Sequence, residues 1–256
     1  MKVVVTGATG RTGGEVAGEV VRRGYTLAPV SREPAGEVAG AELEPAEDLP
    51  ALLTDADVLV DFTVPVASAD YVAQAAEAGV PTVVGTTGFD GNEWAELDDA
   101  ADVIPVLKAS NFARGVQALL NVVREAASAL PGYDVELTET HHDGKRDAPS
   151  GTANTLLDAL DDVREGQDGA LLDRTYGREG EAPRDPGEVG VHVRRAGNVR
   201  GEHEIMFADN DEVLTLTHRA ESRGVFAAGA VDAAEWLVGR PPGWYEFGDV
   251  IGDGGD

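Results

Sequence analysis

Apolar residues in the first half of the chain come in short unbroken runs. The runs alternate with turns and with stretches of helical spacing. Val3-Val4-Val5-Thr6 predicts a buried strand, Gly7-Ala8-Thr9-Gly10-Arg11-Thr12-Gly13 a tight turn, and residues 15–21 an amphipathic helix. Further strands are predicted at 25–30, where Pro29 implies an irregular end, and at 58–62, 81–84 and 103–107, with a helix over 66–78. This repeated order implies a doubly wound parallel sheet of the Rossmann type.

The pattern changes after about residue 113. Residues 116–129 read as a connecting helix. Residues 133–140, 189–194, 203–207 and 212–218 alternate as half-buried strands, and 225–238 close the chain as an apolar-faced helix. Strands arranged around a helix suggest an open mixed or antiparallel sheet. The polar stretch 166–188, rich in glycine, proline and charge, is expected to be a mobile excursion. The fold class is therefore α/β: a Rossmann-type N-terminal domain over 1–112, completed by 223–256, and an α+β second domain over 113–222.

Ligands of doubly wound sheets sit beyond the carboxyl ends of the strands, with a pyrophosphate on the N-terminus of the first helix. Three loops fall there: Gly7, Ala8, Thr9, Gly10, Arg11 and Thr12; Gly85, Thr86 and Thr87; and Ala109, Ser110, Asn111 and Phe112. These are the candidate cofactor-binding segments. Ser31 and Arg32 end the second strand, where an acidic residue would select NADH. A hydroxyl and a guanidinium suit a 2′-phosphate, so NADPH is expected to be preferred over NADH, although Glu33 follows at once.

The densest chemistry lies in Glu136-Leu-Thr-Glu139-Thr-His141-His142-Asp-Gly-Lys145-Arg-Asp147-Ala-Pro149-Ser150-Gly151-Thr152-Ala153. Apolar spacing after it predicts a helix, with Ser150 or Thr152 as N-cap. Free N–H groups at that helix end, beside two imidazoles and a lysine, make an anion-binding pocket with proton donors. His141 and His142 point to opposite faces by strand alternation. Glu136 and Glu139 read as exposed strand carboxylates, and Asp147 as fixing the turn before Pro149. His192, His203 and His218 read as strand histidines satisfied by hydrogen bonds. The histidine spacing matches no metal-ligand pattern, so no metal is expected.

Composition narrows the class. Across 256 residues, 47 Asp and Glu stand against 20 Lys and Arg, a formal net charge of −27. Such a field disfavours nucleic acid and anionic membranes as partners and fits a surface adapted to high salt. A hydrophobic content of 42% argues against disorder. Lysine occurs at Lys2, Lys108 and Lys145 alone, so one of the few lysines lies in the motif. Cysteine is absent, which excludes thiolate chemistry and disulfides. The chain starts directly with a strand and has no signal-peptide or membrane-spanning pattern, so a cytoplasmic location is expected.

The 136–153 run resembles the signature of the dihydrodipicolinate reductase family. The similarity extends to the first glycine loop, Gly85-Thr86-Thr87-Gly88-Phe89, Ser110-Asn111-Phe112, Gly201-Glu202-His203-Glu204 and the segment from Ser222 to Gly229. Leu137 replaces the usual isoleucine or valine, Thr12 a frequent methionine, and Arg114 stands where a small or apolar residue is expected. The resemblance implies NAD(P)H-dependent reduction of 4-hydroxy-tetrahydrodipicolinate to tetrahydrodipicolinate, in diaminopimelate and lysine biosynthesis. It further implies His141 as general acid/base and Lys145 as a second proton donor. His142, Gly151 and Thr152 then bind a carboxylate of the small dicarboxylate substrate. A homotetramer built through the second domain's sheet and a closing helix packed on the first domain are also implied.

Two rival readings are weaker. A short-chain dehydrogenase shares the first glycine loop but needs Tyr-x-x-x-Lys, and no tyrosine here precedes a lysine by four residues. A non-catalytic dinucleotide sensor would not need His141 and Lys145.

Overall fold

A computed structural model describes residues 1–168 and 171–252. The chain forms two compact units, one from Met1–Arg114 with the segment that begins at Arg223, the other from Gly115–Ser222.

The first unit runs β1 (Lys2–Thr6), α1 (Gly13–Arg22), β2 (Thr26–Ser31), the small hairpin β3 (Glu37–Val38) and β4 (Ala41–Glu42), then β5 (Glu44–Pro45) and α2 (Leu49–Leu53). It continues through β6 (Val58–Asp61), α3 (Pro65–Ala78), β7 (Thr82–Val84), α4 (Gly91–Ala101) and β8 (Pro105–Lys108). The second unit holds most of α5 (Arg114–Ala129), then β9 (Asp134–His141), α6 (Gly151–Asp168), β10 (Asp173–Tyr176), β11 (Glu188–Arg195), β12 (Glu202–Asp209) and β13 (Glu212–Arg219). The chain then returns to the first unit as α7 (Gly224–Leu237), β14 (Gly243–Tyr245) and α8 (Phe247–Gly252).

The first unit's sheet has the order β14-β8-β7-β6-β1-β2-β5, and every pairing in it is parallel. Its strands read as unbroken apolar runs because both faces are covered. Val3, Val5, Val58, Val60 and Val83 share one core with residues of α1, α7 and α8. Val4, Leu59, Val84 and Val106 point the other way, into a core with residues of α2, α3 and α4. Local chemistry marks the helix ends. Pro65 opens α3 and Gly79 closes it at φ 72°, a left-handed position that glycine adopts without strain. Asp90 and Glu93 form a reciprocal capping box on α4. The strand expected at 103 begins at Pro105, because the Ile104 N–H still bonds the α4 carbonyl of Ala100.

The second unit's sheet is mixed, in the order β10-β11-β9-β12-β13, with β10, β11 and β9 parallel and β9, β12 and β13 antiparallel. Burial alternates along β9: Val135, Leu137, Glu139 and His141 lie on the buried side. The excursion expected over 166–188 is partly structured: α6 extends to Asp168, and β10 pairs with β11. Residues 169 and 170 of that stretch, and 253–256 of the closing segment, lie outside the described residues. Among the described residues no helix is long and apolar enough to cross a membrane.

Candidate active site

In the first unit the loop after β1 turns tightly. Gly7 has φ +71°, and the Gly10 N–H bonds its carbonyl at 2.9 Å. A Cβ at Gly7 would lie 2.3 Å from the Phe62 carbonyl oxygen, and one at Gly13 would lie 2.2 Å from the Gly7 carbonyl oxygen. Only glycine allows this close packing of turn, strand end and helix start. The turn borders a cleft of about 390 Å³ lined by Gly7, Thr9, Gly10, Ser31, Arg32 and Thr63 among others. An exposed guanidinium, a hydroxyl and the glycine turn that leads into α1 border this volume, an arrangement that fits the phosphates of a dinucleotide.

The remaining candidate cofactor residues divide by environment. Thr9, Gly10, Arg11, Thr87 and Ser110 are exposed, and Thr12, Gly85, Ala109 and Asn111 are half-buried. Asn111 stiffens its own loop by accepting the Ala113 N–H at 2.8 Å. Ala8 and Phe112 are buried, and the Phe112 ring packs against Phe62 and Phe247. Thr86 is buried as well, and its hydroxyl bonds Asp61. The Asp61 carboxylate, with no exposed surface, also accepts the hydroxyls of Thr6 and Thr63, each at 2.7 Å. It thereby ties the ends of β1, β6 and β7 beneath the glycine loop. Periodicity gave no hint of this, because Asp61 reads as the polar end of an apolar strand.

In the second unit the motif residues gather around Glu139. Expected as an exposed strand carboxylate, Glu139 is completely buried. It lies on the inward face of β9, where partners compensate the burial. Its Oε2 is 2.6 Å from His141 Nδ1, and the Arg195 guanidinium donates to both of its oxygens at 2.7 Å. Its Oε1 also accepts the backbone N–H of Ser150 at 3.0 Å. Burial alone would raise this carboxyl's pKa, but His141 and Arg195 outweigh it and hold the value at about 2. Glu136 is half-buried rather than exposed and takes His192 Nε2 at 2.6 Å.

Helix α6 starts at Gly151, and the Ser150 hydroxyl accepts the Ala153 N–H at 3.1 Å. Ser150 is therefore the N-cap, and Thr152 lies in the first turn. Gly151 is exposed, with open space where a Cβ would stand. The same Ser150 hydroxyl is 2.9 Å from His203 Nε2, and the His203 and His141 rings meet edge-on at 5.3 Å. Burial, reinforced by the neighbouring His141, pushes the His203 pKa down to about 3. Only one nitrogen of His203 is satisfied, because its Nδ1 finds no partner among the described residues. Neither does Nδ1 of His218, whose ring lies against Gly115.

His141 is buried and its neighbour His142 half-buried. Lys145 pairs with Asp147 at 2.8 Å. Burial opposes the charged form of Asp147, yet the Lys145 ammonium keeps its pKa below the ordinary value. Arg195, which lies outside the motif, also donates to the Asp147 carbonyl at 2.6 Å. Its signal was the register of β11 on β9, which sets Arg195 opposite His141 and only pairing reveals. Arg114 likewise finds an explanation, since its Nε donates to Asp232 of α7 at 2.7 Å.

Residues 1–112 match the family model described as dihydrodipicolinate reductase, N-terminus, and residues 115–251 the one described as its C-terminus. The chain belongs to the dihydrodipicolinate reductase family. As a member of that family it is an oxidoreductase that uses NAD(P)H. It is 61% identical over 251 residues to the 4-hydroxy-tetrahydrodipicolinate reductase of Natronomonas pharaonis, covering 98% of this chain and 100% of that one. The Haloarcula marismortui enzyme of the same name is 50% identical, with 98% of each chain covered. Both organisms are halophilic archaea, in keeping with the net charge of −27. The fold is that of a dipicolinate-bound dihydrodipicolinate reductase from Paenisporosarcina sp. TG-14, with a TM-score of 0.77, 24% identity, and 96% of this chain and 97% of that one covered.

Proposed function

We propose that this chain is a cytoplasmic enzyme that reduces 4-hydroxy-tetrahydrodipicolinate to tetrahydrodipicolinate, with NADPH preferred over NADH. The observation that carries the reading is the 61% identity to a reductase of that name over 98% of the chain. The geometry of the second unit supports it. An imidazole, an ammonium and a helix N-terminus lie in one short segment of chain, which suits a substrate that carries two carboxylates and needs a proton.

When bound, a reduced nicotinamide would supply the hydride; with one proton in addition, the reduction releases the substrate's hydroxyl as water. The protein's part is to bind and to protonate. His141 donates the proton through Nε2, because Nδ1 is engaged by Glu139. Lys145 is the second donor. The N–H groups of Gly151 and Thr152, at the positive end of α6, grip a carboxylate together with His142. In the first unit, residues 7–12, 85–87 and 109–112 hold the dinucleotide, and Arg32 faces its 2′-phosphate. The division of roles follows the two units, dinucleotide binding in the first and substrate chemistry in the second. The assembly is a homotetramer through the second unit's sheet, a reading supported by Val213 and Leu214 standing exposed on the edge strand β13.

The test is NADPH oxidation in the presence of freshly generated substrate, measured at high salt. Wild-type protein oxidises NADPH only with substrate, and His141→Gln loses roughly 10²–10⁴-fold in kcat, as expected for a general acid. Absence of substrate-dependent oxidation would overturn the activity; a full-rate His141→Gln enzyme would overturn the assigned role. Light scattering checks the tetramer, and a monomer in active preparations would refute it.

A further inference from the structure

We infer that Glu139 is a positioning residue for this reaction. One carboxylate, bonded at once to Nδ1 of His141 and to the backbone N–H of Ser150, sets the tautomer of the proton donor and fixes the helix end that receives the substrate carboxylate. The inference rests on the role of His141 proposed above.

The two oxygens of Glu139 divide the work. Oε2 lies 2.6 Å from His141 Nδ1. A carboxylate can only accept, so Nδ1 keeps a proton in both the neutral and the charged ring, and the exchangeable proton belongs to Nε2. Oε1 takes the Ser150 N–H at 3.0 Å and thereby anchors the residue before α6 to strand β9. Donor ring and carboxylate cradle thus hang from one side chain, and neither can shift without the other. Arg195 grips both oxygens, which keeps the carboxylate in one orientation and compensates its complete burial. Its lowered pKa keeps it ionised at neutral pH.

The surroundings complete the arrangement. His141 faces Glu139 from its own strand, Arg195 from β11, His203 from β12 and Ser150 at the start of α6. Lys145 and Asp147 form the nearest ion pair on the following loop. Gly201 lets the backbone approach the far side of the ring, since a Cβ there would lie 3.1 Å from His141 Nε2. Nδ1 is therefore braced by Glu139, and backbone without a side chain borders Nε2.

The experiment uses the full-length enzyme with ¹⁵N-labelled histidine. In the wild type at neutral pH, the ring nitrogens of His141 should show the proton on Nδ1. In Glu139→Gln the amide nitrogen turns toward the ring and donates, so the proton moves to Nε2. The kcat of that variant should fall by about 10²-fold. The KM for NADPH should stay within about twofold, which separates lost positioning from a damaged fold. A wild-type ring whose Nδ1 carries no proton would overturn the inference, whether or not the variant folds. So would an unchanged kcat in Glu139→Gln while His141→Gln is inactive. A fully active His141→Gln enzyme would instead overturn the reading beneath it and leave the tautomer measurement standing on its own.

Discussion

The Ser150 hydroxyl lies 2.9 Å from Nε2 of His203, so the cap of α6 is held by an imidazole from β12. That ring has a pKa of about 3 in the folded protein against an ordinary 6.5, with burial as the first cause and His141 as the second. Between those values the unfolded chain binds a proton that the folded chain refuses. His203 therefore contributes stability that is complete above pH 6.5 and is lost as pH falls toward 3. Glu139 adds a loss of the same sign between its ordinary 4.5 and about 2. Denaturant titrations at stepped pH should show this decline, and His203→Gln should flatten its upper part.

Ser150→Ala removes the cap and strips Nε2 of His203 of its partner. A lost cap costs about 1 kcal/mol, and a buried group left unsatisfied costs about 1–3 kcal/mol more. The expected result is a lower denaturant midpoint at an unchanged slope. A midpoint equal to the wild type would show that α6 does not depend on this hydroxyl.

Two glycines one helical stretch apart should respond in opposite directions. A Cβ at Gly13 meets the Gly7 carbonyl oxygen at 2.2 Å, so Gly13→Ala must displace the glycine loop. Its affinity for NADPH should fall by about tenfold or more, the equivalent of roughly 1.4 kcal/mol. A Cβ at Gly18, inside α1, would meet nothing within 4 Å. Gly18→Ala should therefore stabilise the protein by roughly 0.5–1 kcal/mol through helix propensity, with coenzyme affinity unchanged. Calorimetric titration and thermal melts of the two variants check both.

Asp61→Ala would leave the hydroxyls of Thr6, Thr63 and Thr86 without their common acceptor. At roughly 1–3 kcal/mol for each buried group, the loss should reach about 3 kcal/mol or more. Asp61→Asn keeps one acceptor and should lose less. Because these residues end β1, β6 and β7, the KM for coenzyme should rise in both variants in the order of their instability.

Arg32 lines the same cleft as Gly7 and Thr9. Arg32→Ala should raise the KM for NADPH by about tenfold and change that for NADH little, since a charge-assisted contact to phosphate is worth about 1.5–3 kcal/mol. Equal losses with both coenzymes would place Arg32 away from the 2′-phosphate.

The sequence by itself determined the layered first unit and the strand alternation of the second. Both rest on local periodicity: Val3, Val4 and Val5 announce a strand covered on two faces, and β9 alternates residue by residue. It also determined the family, because the 136–153 segment is contiguous and needs no fold to be read. What only the tertiary structure decided are the partnerships that cross strands. Glu139 looked like a solvent-facing carboxylate until Arg195, set opposite His141 by the parallel register of β11, and the N–H of Ser150 supplied its partners. Asp61, His203 and Arg114 were opaque for the same reason. A buried polar group is tolerated only where partners from distant segments compensate its desolvation, and periodicity carries no record of which segments meet.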